Sequence, residues 1–80
     1  MSEKFPVHET LSVLSGKTLY RTEKWWKAAV LTEAFGRRRI SIYLWQKRNG
    51  EWRRRQKYTI NSKDDWEKDK VAIEELINQL

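Results

Sequence analysis

The stretch from Arg37 to Ile60, RRRISIYLWQKRNGEWRRRQKYTI, predicts a β-hairpin centred on Asn49-Gly50. A two-residue type I′ turn needs positive φ at both central positions, and Asn-Gly adopts that conformation at low cost. Before the turn, period-two alternation groups a mostly aliphatic row: Arg38, Ile40, Ile42 and Leu44. The other row is basic and aromatic: Arg37, Arg39, Ser41, Tyr43, Trp45 and Lys47.

The second strand of this hairpin shows the same alternation after the turn. Its more apolar row contains Trp52, Tyr58 and Ile60. Its more polar row contains Arg53, Arg55, Lys57 and Thr59. If the apolar rows of both strands share a core, the cationic rows share an outer surface.

Positive charge is concentrated in this hairpin, whereas the C-terminal segment carries a net negative charge. The 80-residue chain has a net charge of +6. Residues 37–57 carry nine Lys or Arg and one acid, residues 1–36 carry five bases and four acids, and residues 62–80 carry three bases and six acids. A directed basic surface of this kind indicates an anionic partner, most often nucleic acid.

The composition also limits compartment and size. Eighty residues make one domain, and a chain this short buries only about 60% of its unfolded surface, so oligomerisation would add needed stability. The absence of cysteine excludes disulfides and fits a reducing compartment. No apolar run is long enough for a membrane span, and MSEKFPVHETLSV lacks a signal-peptide core. We therefore expect no membrane association and a cytoplasmic, nucleoid-associated protein, or a nuclear one in a eukaryote.

The remaining segments are interpreted from their composition and from residues that break secondary structure. Residues 1–16 are expected to be a flexible or weakly structured arm, and residues 17–80 a single domain. The sequence KTLYRT, residues 17–22, predicts a short strand. EKWWKAAVLTEAF, residues 23–35, favours a second strand in which either Trp25 or Trp26 faces the core.

The segment from Ser62 to Leu80 predicts a helix. Ser62 suits the N-cap and Asp65 the third helical position, where an acidic residue also meets the positive end of the helix dipole. One face gathers Trp66 with apolar residues that we expect to contribute to a homodimer interface: Ile73, Leu76, Ile77 and Leu80.

Enzyme chemistry has little support, and we expect no catalytic residue, metal site or cofactor. The chain has no cysteine, a single histidine at His8, no glycine-rich phosphate loop and no metal-ligand spacing. Its acidic cluster, Asp64, Asp65, Glu67 and Asp69, is explained more simply by helix capping and solubility.

The basic and aromatic row indicates a class of ligand. Cations neutralise phosphates, while planar rings provide platforms on which exposed bases stack. Because bases in a duplex are already stacked on one another, Tyr43 and Trp45 among the cations favour single strands. The alternatives are a nucleoid-type duplex binder, an RNA binder, or a transcription-regulatory module whose partner is a protein.

A resemblance to a known family rests on dispersed residues. Gly36, Ile40, Ile42, Trp45, the NGEW turn, Lys57 and the helix-opening SKDDW resemble the C-terminal domain of the transcriptional coactivator positive cofactor 4. This resemblance covers about residues 17–80. It implies a four-stranded curved antiparallel sheet followed by one helix (ββββα, an α+β fold) and dimerisation through the helices. It also implies grooves that bind single-stranded DNA or melted duplex without strong sequence preference.

The resemblance also implies contact residues. By position these are Trp25, Lys27, Phe35, Arg37, Tyr43, Trp45, Arg53 and Lys57. Arg39, Lys47 and Arg55 join them as cations of the same hairpin. Tyr58 stands where the family has a glycine, and the turn after Trp45 is about one residue shorter. The leading hypothesis is a homodimeric single-stranded DNA-binding protein that acts in transcription, replication or repair, in contact with the transcription machinery.

Overall fold

The computed structural model describes residues 4–80, which form four strands and one helix. The elements are β1 (Ser12–Arg21), β2 (Trp25–Ala34), β3 (Arg37–Arg48), β4 (Glu51–Ile60) and α1 (Lys63–Leu76), followed by a 3₁₀ turn (Ile77–Gln79). The strands make one open, curved antiparallel sheet in the order β1-β2-β3-β4. The predicted ββββα architecture is confirmed. Residues 1–3 of the predicted arm lie outside the described residues.

Two tight turns connect the strands β2, β3 and β4. Asn49 and Gly50 have φ values of 53° and 79°, as the Asn-Gly signal predicts. The turn from β2 to β3 uses Phe35 and Gly36, with φ values of 53° and 74°. A bulky residue with positive φ is uncommon, whereas glycine adopts it without a steric penalty.

The first strand begins earlier than the sequence predicts. It starts at Ser12, and the predicted strand over residues 17–22 is its second half. Two register shifts against β2, at Leu14 and Leu19, interrupt the alternation that would have marked the longer strand.

A bulge in β4 changes which of its side chains share a face. Register runs from Leu44 opposite Gln56 to Trp45 opposite Arg54, so Arg55 is the extra residue. Directly opposed residues point to the same side of an antiparallel sheet. The predicted row of Arg53, Arg55, Lys57 and Thr59 is therefore wrong as a single face.

The register defines two faces of the sheet. The aromatic face carries Trp26, Ala28, Val30 and Thr32 of β2, Ser41, Tyr43, Trp45 and Lys47 of β3, and Trp52, Arg54, Lys57 and Thr59 of β4. The aliphatic face carries Trp25, Lys27, Ala29 and Leu31 of β2, Ile40, Ile42, Leu44 and Gln46 of β3, and Arg53, Gln56, Tyr58 and Ile60 of β4.

The buried core lies on the aromatic face, which corrects the expectation that the aliphatic row is the core. Its buried hydrophobic residues are Trp26, Ala28, Val30, Tyr43 and Trp45. Phe5 and Val7 of the N-terminal segment (residues 4–11) and Trp52 of β4 pack against this cluster. The aliphatic face is only partly covered, and Ile40 is 43% exposed. Large rings from three strands and the N-terminal segment close over one face, whereas little covers the other.

Helix α1 begins as predicted. The Ser62 hydroxyl accepts a hydrogen bond from the Asp65 backbone N–H at 3.1 Å. The Tyr58 hydroxyl donates a hydrogen bond to the Asp69 carboxylate and so ties the helix to β4. This bond raises the pKa of the Tyr58 phenol above its usual value, with smaller contributions from desolvation and from the Asp69 and Asp65 charges.

The apolar side chains near the end of the helix are exposed within this single chain. The predicted dimer residues Ile73, Leu76 and Ile77 are each more than half exposed, and Leu80 is fully exposed. Trp66 lies at the opposite end of α1 and borders a groove of about 530 Å³ on the aliphatic face. Other apolar residues lining that groove are Ala29, Leu31, Ile40, Ile42 and Ile60.

Candidate nucleic-acid interface

Phe35 is the most exposed ring of the sheet region. It lies in the two-residue turn between β2 and β3, where 97% of its surface is exposed. Its φ of 53° belongs to the left-handed region, which Asn or Gly adopts more cheaply than a bulky residue. Neither the turn nor intramolecular packing explains an aromatic ring at this position. A backbone outlier that carries an exposed ring is a candidate contact residue.

Three arginines follow this turn. Arg37, Arg38 and Arg39 are all exposed at the start of β3. The Arg38 Nε donates to Glu33 Oε2 at 2.9 Å across the β2–β3 ladder, so its charge is partly offset by an acid. Arg37 and Arg39 alternate to the side of the sheet that carries the aromatic face. The turn therefore combines an exposed ring with two cations directed to one side.

The outer strand β4 supplies a second group of cations. Arg53, Arg54, Arg55 and Lys57 are exposed along a strand that pairs only with β3. Lysine and arginine on an edge strand also protect the sheet from pairing with other chains, so their presence has a purely structural use. Arg54 and Lys57 lie on the aromatic face, and the Lys57 Nζ is 5.5 Å from the centre of the Tyr43 ring.

Tyr43 and Trp45 are not open platforms, which corrects the expectation that they lie on an outer surface. Their rings are parallel, with centroids 5.0 Å apart and planes at 9°. Tyr43 is 2% exposed and Trp45 is fully buried. Alternation placed them correctly on one face, but residues of the N-terminal segment cover that face. Whether they bind nucleic acid stays a prediction.

The remaining predicted contact residues are divided between the two faces. Lys47 lies on the aromatic face, with its Nζ 5.5 Å from the centre of the Trp52 ring. Trp25, Lys27 and Arg53 lie on the aliphatic face, away from Tyr43 and Trp45. The bulge residue Arg55 donates from its Nε to Gln46 Oε1 at 2.7 Å, on that same side. The predicted set therefore does not form one continuous patch.

Residues that the sequence did not single out complete the aromatic face. Arg54 was missed because the bulge reverses the alternation of β4. The Arg21 guanidinium carbon lies 4.3 Å from the centre of the Trp26 ring and 5.4 Å from that of Trp52. Phe5 packs on Trp26 and Trp45, and only its place in an apolar Phe-Pro-Val run could have marked it.

The N-terminal segment and β4 enclose a groove beside this face. Its volume is about 480 Å³. It is lined by Pro6, Val7, His8 and Leu11 from the segment and by Tyr43, Arg54 and Lys57 from the sheet. Within the segment, the His8 Nδ1 is 2.8 Å from the Thr10 hydroxyl. The two cations, Arg54 and Lys57, therefore lie on the sheet side of the groove.

Neither a metal-ion cluster nor a membrane-spanning helix is found in the part of the chain that the structure describes. Among residues 4–80, no three or more His, Cys, Asp or Glu side chains are grouped so as to hold a metal ion. The helix in this range is too short and too polar to cross a membrane. Comparisons with protein-family models, curated proteins and solved structures found no match.

Proposed function

We propose that this protein binds single-stranded DNA without strong sequence preference. The observation that carries this proposal is the exposed Phe35 ring, held in a strained turn directly before Arg37–Arg39. A ring at the tip of a hairpin can stack on an unpaired base, while neighbouring arginines neutralise its flanking phosphates. The cations of β4 extend the phosphate-binding surface along the sheet edge.

The preference for unpaired strands follows from the chemistry of stacking. Each base stacked on an aromatic side chain contributes about 1–3 kcal/mol, and every base has a face that can stack. In a duplex these faces are occupied by neighbouring bases. The proposed role is in transcription, replication or repair, where DNA strands are separated, with contact to the transcription machinery.

We further propose that the protein acts as a homodimer that closes its aliphatic face. Two features support this: the half-open apolar groove beside Trp66 and the exposed apolar end of α1. Burying such surface contributes about 25 cal/mol per Å² of apolar area. The acidic helical segment, with a charge of −3 from three bases and six acids, would not compete for the anionic ligand.

The first test is a binding titration with single-stranded DNA, duplex DNA and single-stranded RNA at several salt concentrations. Fluorescence anisotropy of labelled oligonucleotides of equal length gives the affinities. We expect single-stranded DNA to bind more tightly than duplex, with an affinity that falls as salt rises. Equal or tighter binding of duplex would contradict the stacking mechanism, and tighter binding of RNA would change the proposed ligand.

The second test separates stacking from charge at the β2–β3 turn. Phe35→Ala should weaken single-strand binding by about 1–3 kcal/mol and leave the salt dependence unchanged. Arg37→Gln with Arg39→Gln should lower the slope of log affinity against log salt by about 0.7 for each phosphate that is no longer neutralised. The matched control is Lys68→Gln with Lys70→Gln, which removes two cations of the helix. If that control weakens binding equally, the turn is not the site.

A further inference from the structure

Phe5 lies in a flat depression on the aromatic face. The centre of its ring is 5.4 Å from that of Trp26 and 6.2 Å from that of Trp45, with planes tilted by 30° and 29°. Gly16 of β1 also lies next to the Phe5 ring. We call the depression formed by Gly16, Trp26 and Trp45 the Phe5 slot. The Phe5 ring packs there against two indoles and lies close to the backbone at Gly16.

The shape of the slot depends on glycine. A Cβ at Gly16 would lie 2.5 Å from Phe5 Cε2 and 2.8 Å from Cζ, much closer than side-chain atoms approach one another. The absence of a side chain at position 16 therefore makes the room for a flat group. Nucleobases are flat aromatic groups that bind proteins by stacking on rings of this kind.

One of the two indoles that form the slot carries a hydrogen-bond donor without an acceptor. Trp45 is fully buried, and its Nε1 has no hydrogen-bond partner among residues 4–80. The adjacent indole of Trp26 is satisfied, because its Nε1 donates to the Thr18 hydroxyl at 3.0 Å. Buried polar groups are nearly always hydrogen-bonded, so an unpartnered one needs an explanation. A phenyl ring offers no acceptor, whereas nucleobases carry carbonyl oxygens and ring nitrogens.

Cations lie beside aromatic rings that form or adjoin this depression. Arg21 lies over the rings of Trp26 and Trp52, and Lys57 lies near Tyr43. Arg54 and Lys57 also line the groove beneath residues 6–11. A nucleotide whose base entered the slot would have its phosphates near positive charge on both sides, as single-strand binding surfaces require.

Local hydrogen bonds shape the segment that carries Phe5. The Val7 N–H donates to the Phe5 carbonyl at 2.8 Å, and the Leu11 N–H donates to the His8 carbonyl at 3.0 Å. Neither bond joins the segment to a strand of the sheet. Segments held by a few side-chain contacts open at much lower free energy than strands inside a ladder.

We propose that the Phe5 slot is a binding site for one unpaired nucleobase, and that Phe5 is its internal competitor. Ligand binding displaces the N-terminal segment, the base takes the place of the phenyl ring, and an acceptor on the base receives the Trp45 N–H. This inference rests on the proposed function, since it concerns the same ligand, but it assigns a second contact site separate from Phe35.

The test compares the full-length wild type with Phe5→Ala, using an oligothymidylate and an abasic phosphodiester strand of equal length. Removing the competitor should tighten binding of the oligothymidylate by about fivefold or more, because the base no longer has to displace a ring that stacks on the same indoles. Binding of the abasic strand should not change, because it has no base to enter the slot. Leu19→Ala is the matched control: it removes an exposed apolar side chain from β1 outside the slot and should bind like the wild type.

The outcomes separate this inference from the proposed function. If the wild type binds neither strand at low salt, the proposed function fails. If the wild type binds and Phe5→Ala binds the oligothymidylate equally or more weakly, the slot assignment alone is overturned. A gain that is equal for the abasic strand also overturns it, because that result needs only phosphate contacts.

A measurement on the unaltered protein covers the case in which Phe5→Ala does not fold. The Trp45 indole N–H resonance should shift downfield when oligothymidylate is added, because the proton gains an acceptor. Amide exchange at Val7 and Leu11 should accelerate in the same complex, because the segment is displaced. An unchanged Trp45 resonance together with slower exchange in the N-terminal segment would overturn the proposal.

Discussion

The two faces of the sheet differ more in what covers them than in the side chains they present. On the aromatic face, Trp26, Tyr43 and Trp45 come together from two strands, and Phe5 closes over them. On the aliphatic face, Ile40 and Ile42 border an open groove. Hydrophobic residues alone therefore do not locate the core of a single sheet. A face becomes the core only when another part of the chain covers it.

The largest expected effect comes from truncating the centre of the covered face. Trp45→Ala should lower the free energy of unfolding by about 3–5 kcal/mol, because it removes a fully buried ring and leaves a cavity. Chemical denaturation followed by circular dichroism measures this decrease. Phe35→Ala is the control, since its ring is exposed and its removal should change stability by less than about 0.5 kcal/mol. Similar decreases for the two variants would contradict the assignment of the core.

Two adjacent residues of β2 give a direct comparison between the faces. Val30 is fully buried on the aromatic face, and Leu31 is half-buried on the aliphatic face. Val30→Ala should cost about 1.5–3 kcal/mol whatever the protein concentration. Leu31→Ala should cost less in dilute solution, with a cost that increases at concentrations where a homodimer forms. A cost for Leu31→Ala that does not depend on concentration would argue against burial of the aliphatic face by a second copy.

A charge on the aliphatic face should act on association more than on folding. Ile42→Lys places an ammonium group beside the apolar groove, where water still reaches it in a single chain. We expect sedimentation equilibrium to show a dimer for the wild type and a monomer for this variant, with a helix and sheet content by circular dichroism that is unchanged. A monomeric wild type at tens of micromolar would contradict the proposed homodimer.

The smallest effect concerns the contact between helix and sheet. Because Asp69 accepts from the Tyr58 hydroxyl, the pKa of Tyr58 is raised in the folded protein. The stabilisation is complete below the unfolded pKa of tyrosine, 10.0, and disappears as pH rises through the higher folded value. Alkaline titration by ultraviolet absorbance should therefore show a late phase, in which one tyrosine ionises at a higher pH than free tyrosine. Tyr58→Phe should remove this late phase. Persistence of the late phase in Tyr58→Phe would assign it to another tyrosine.

These burial differences also change the choice of binding experiments. Judged from the alternation of β3 alone, a double substitution of Tyr43 and Trp45 tests stacking on an open surface. Because both rings are buried, it would test the stability of the fold instead. Phe35 and the neighbouring arginines are exposed, so their substitution tests binding without that complication.

Several parts of the fold were predictable because their signals are local. Asn49-Gly50 sets its turn through the φ angles that those residues tolerate. Ser62 begins the helix through one hydrogen bond to a residue three positions away. Strand β2 and the alternation of β3 were also predictable, since each depends on neighbours within a few residues. The candidate cations follow from composition in the same way.

The sequence by itself determined the hairpin, the helix start, the ββββα order and the concentration of charge in residues 37–57. Only the tertiary structure decided which face is covered, because that depends on Phe5 reaching a cluster formed about 20 and 40 residues further along the chain. It also decided which arginines of β4 share a face, because the bulge at Arg55 is a property of the pairing with β3. Alternation assigns residues to two sides of a strand, and long-range packing determines which side is buried.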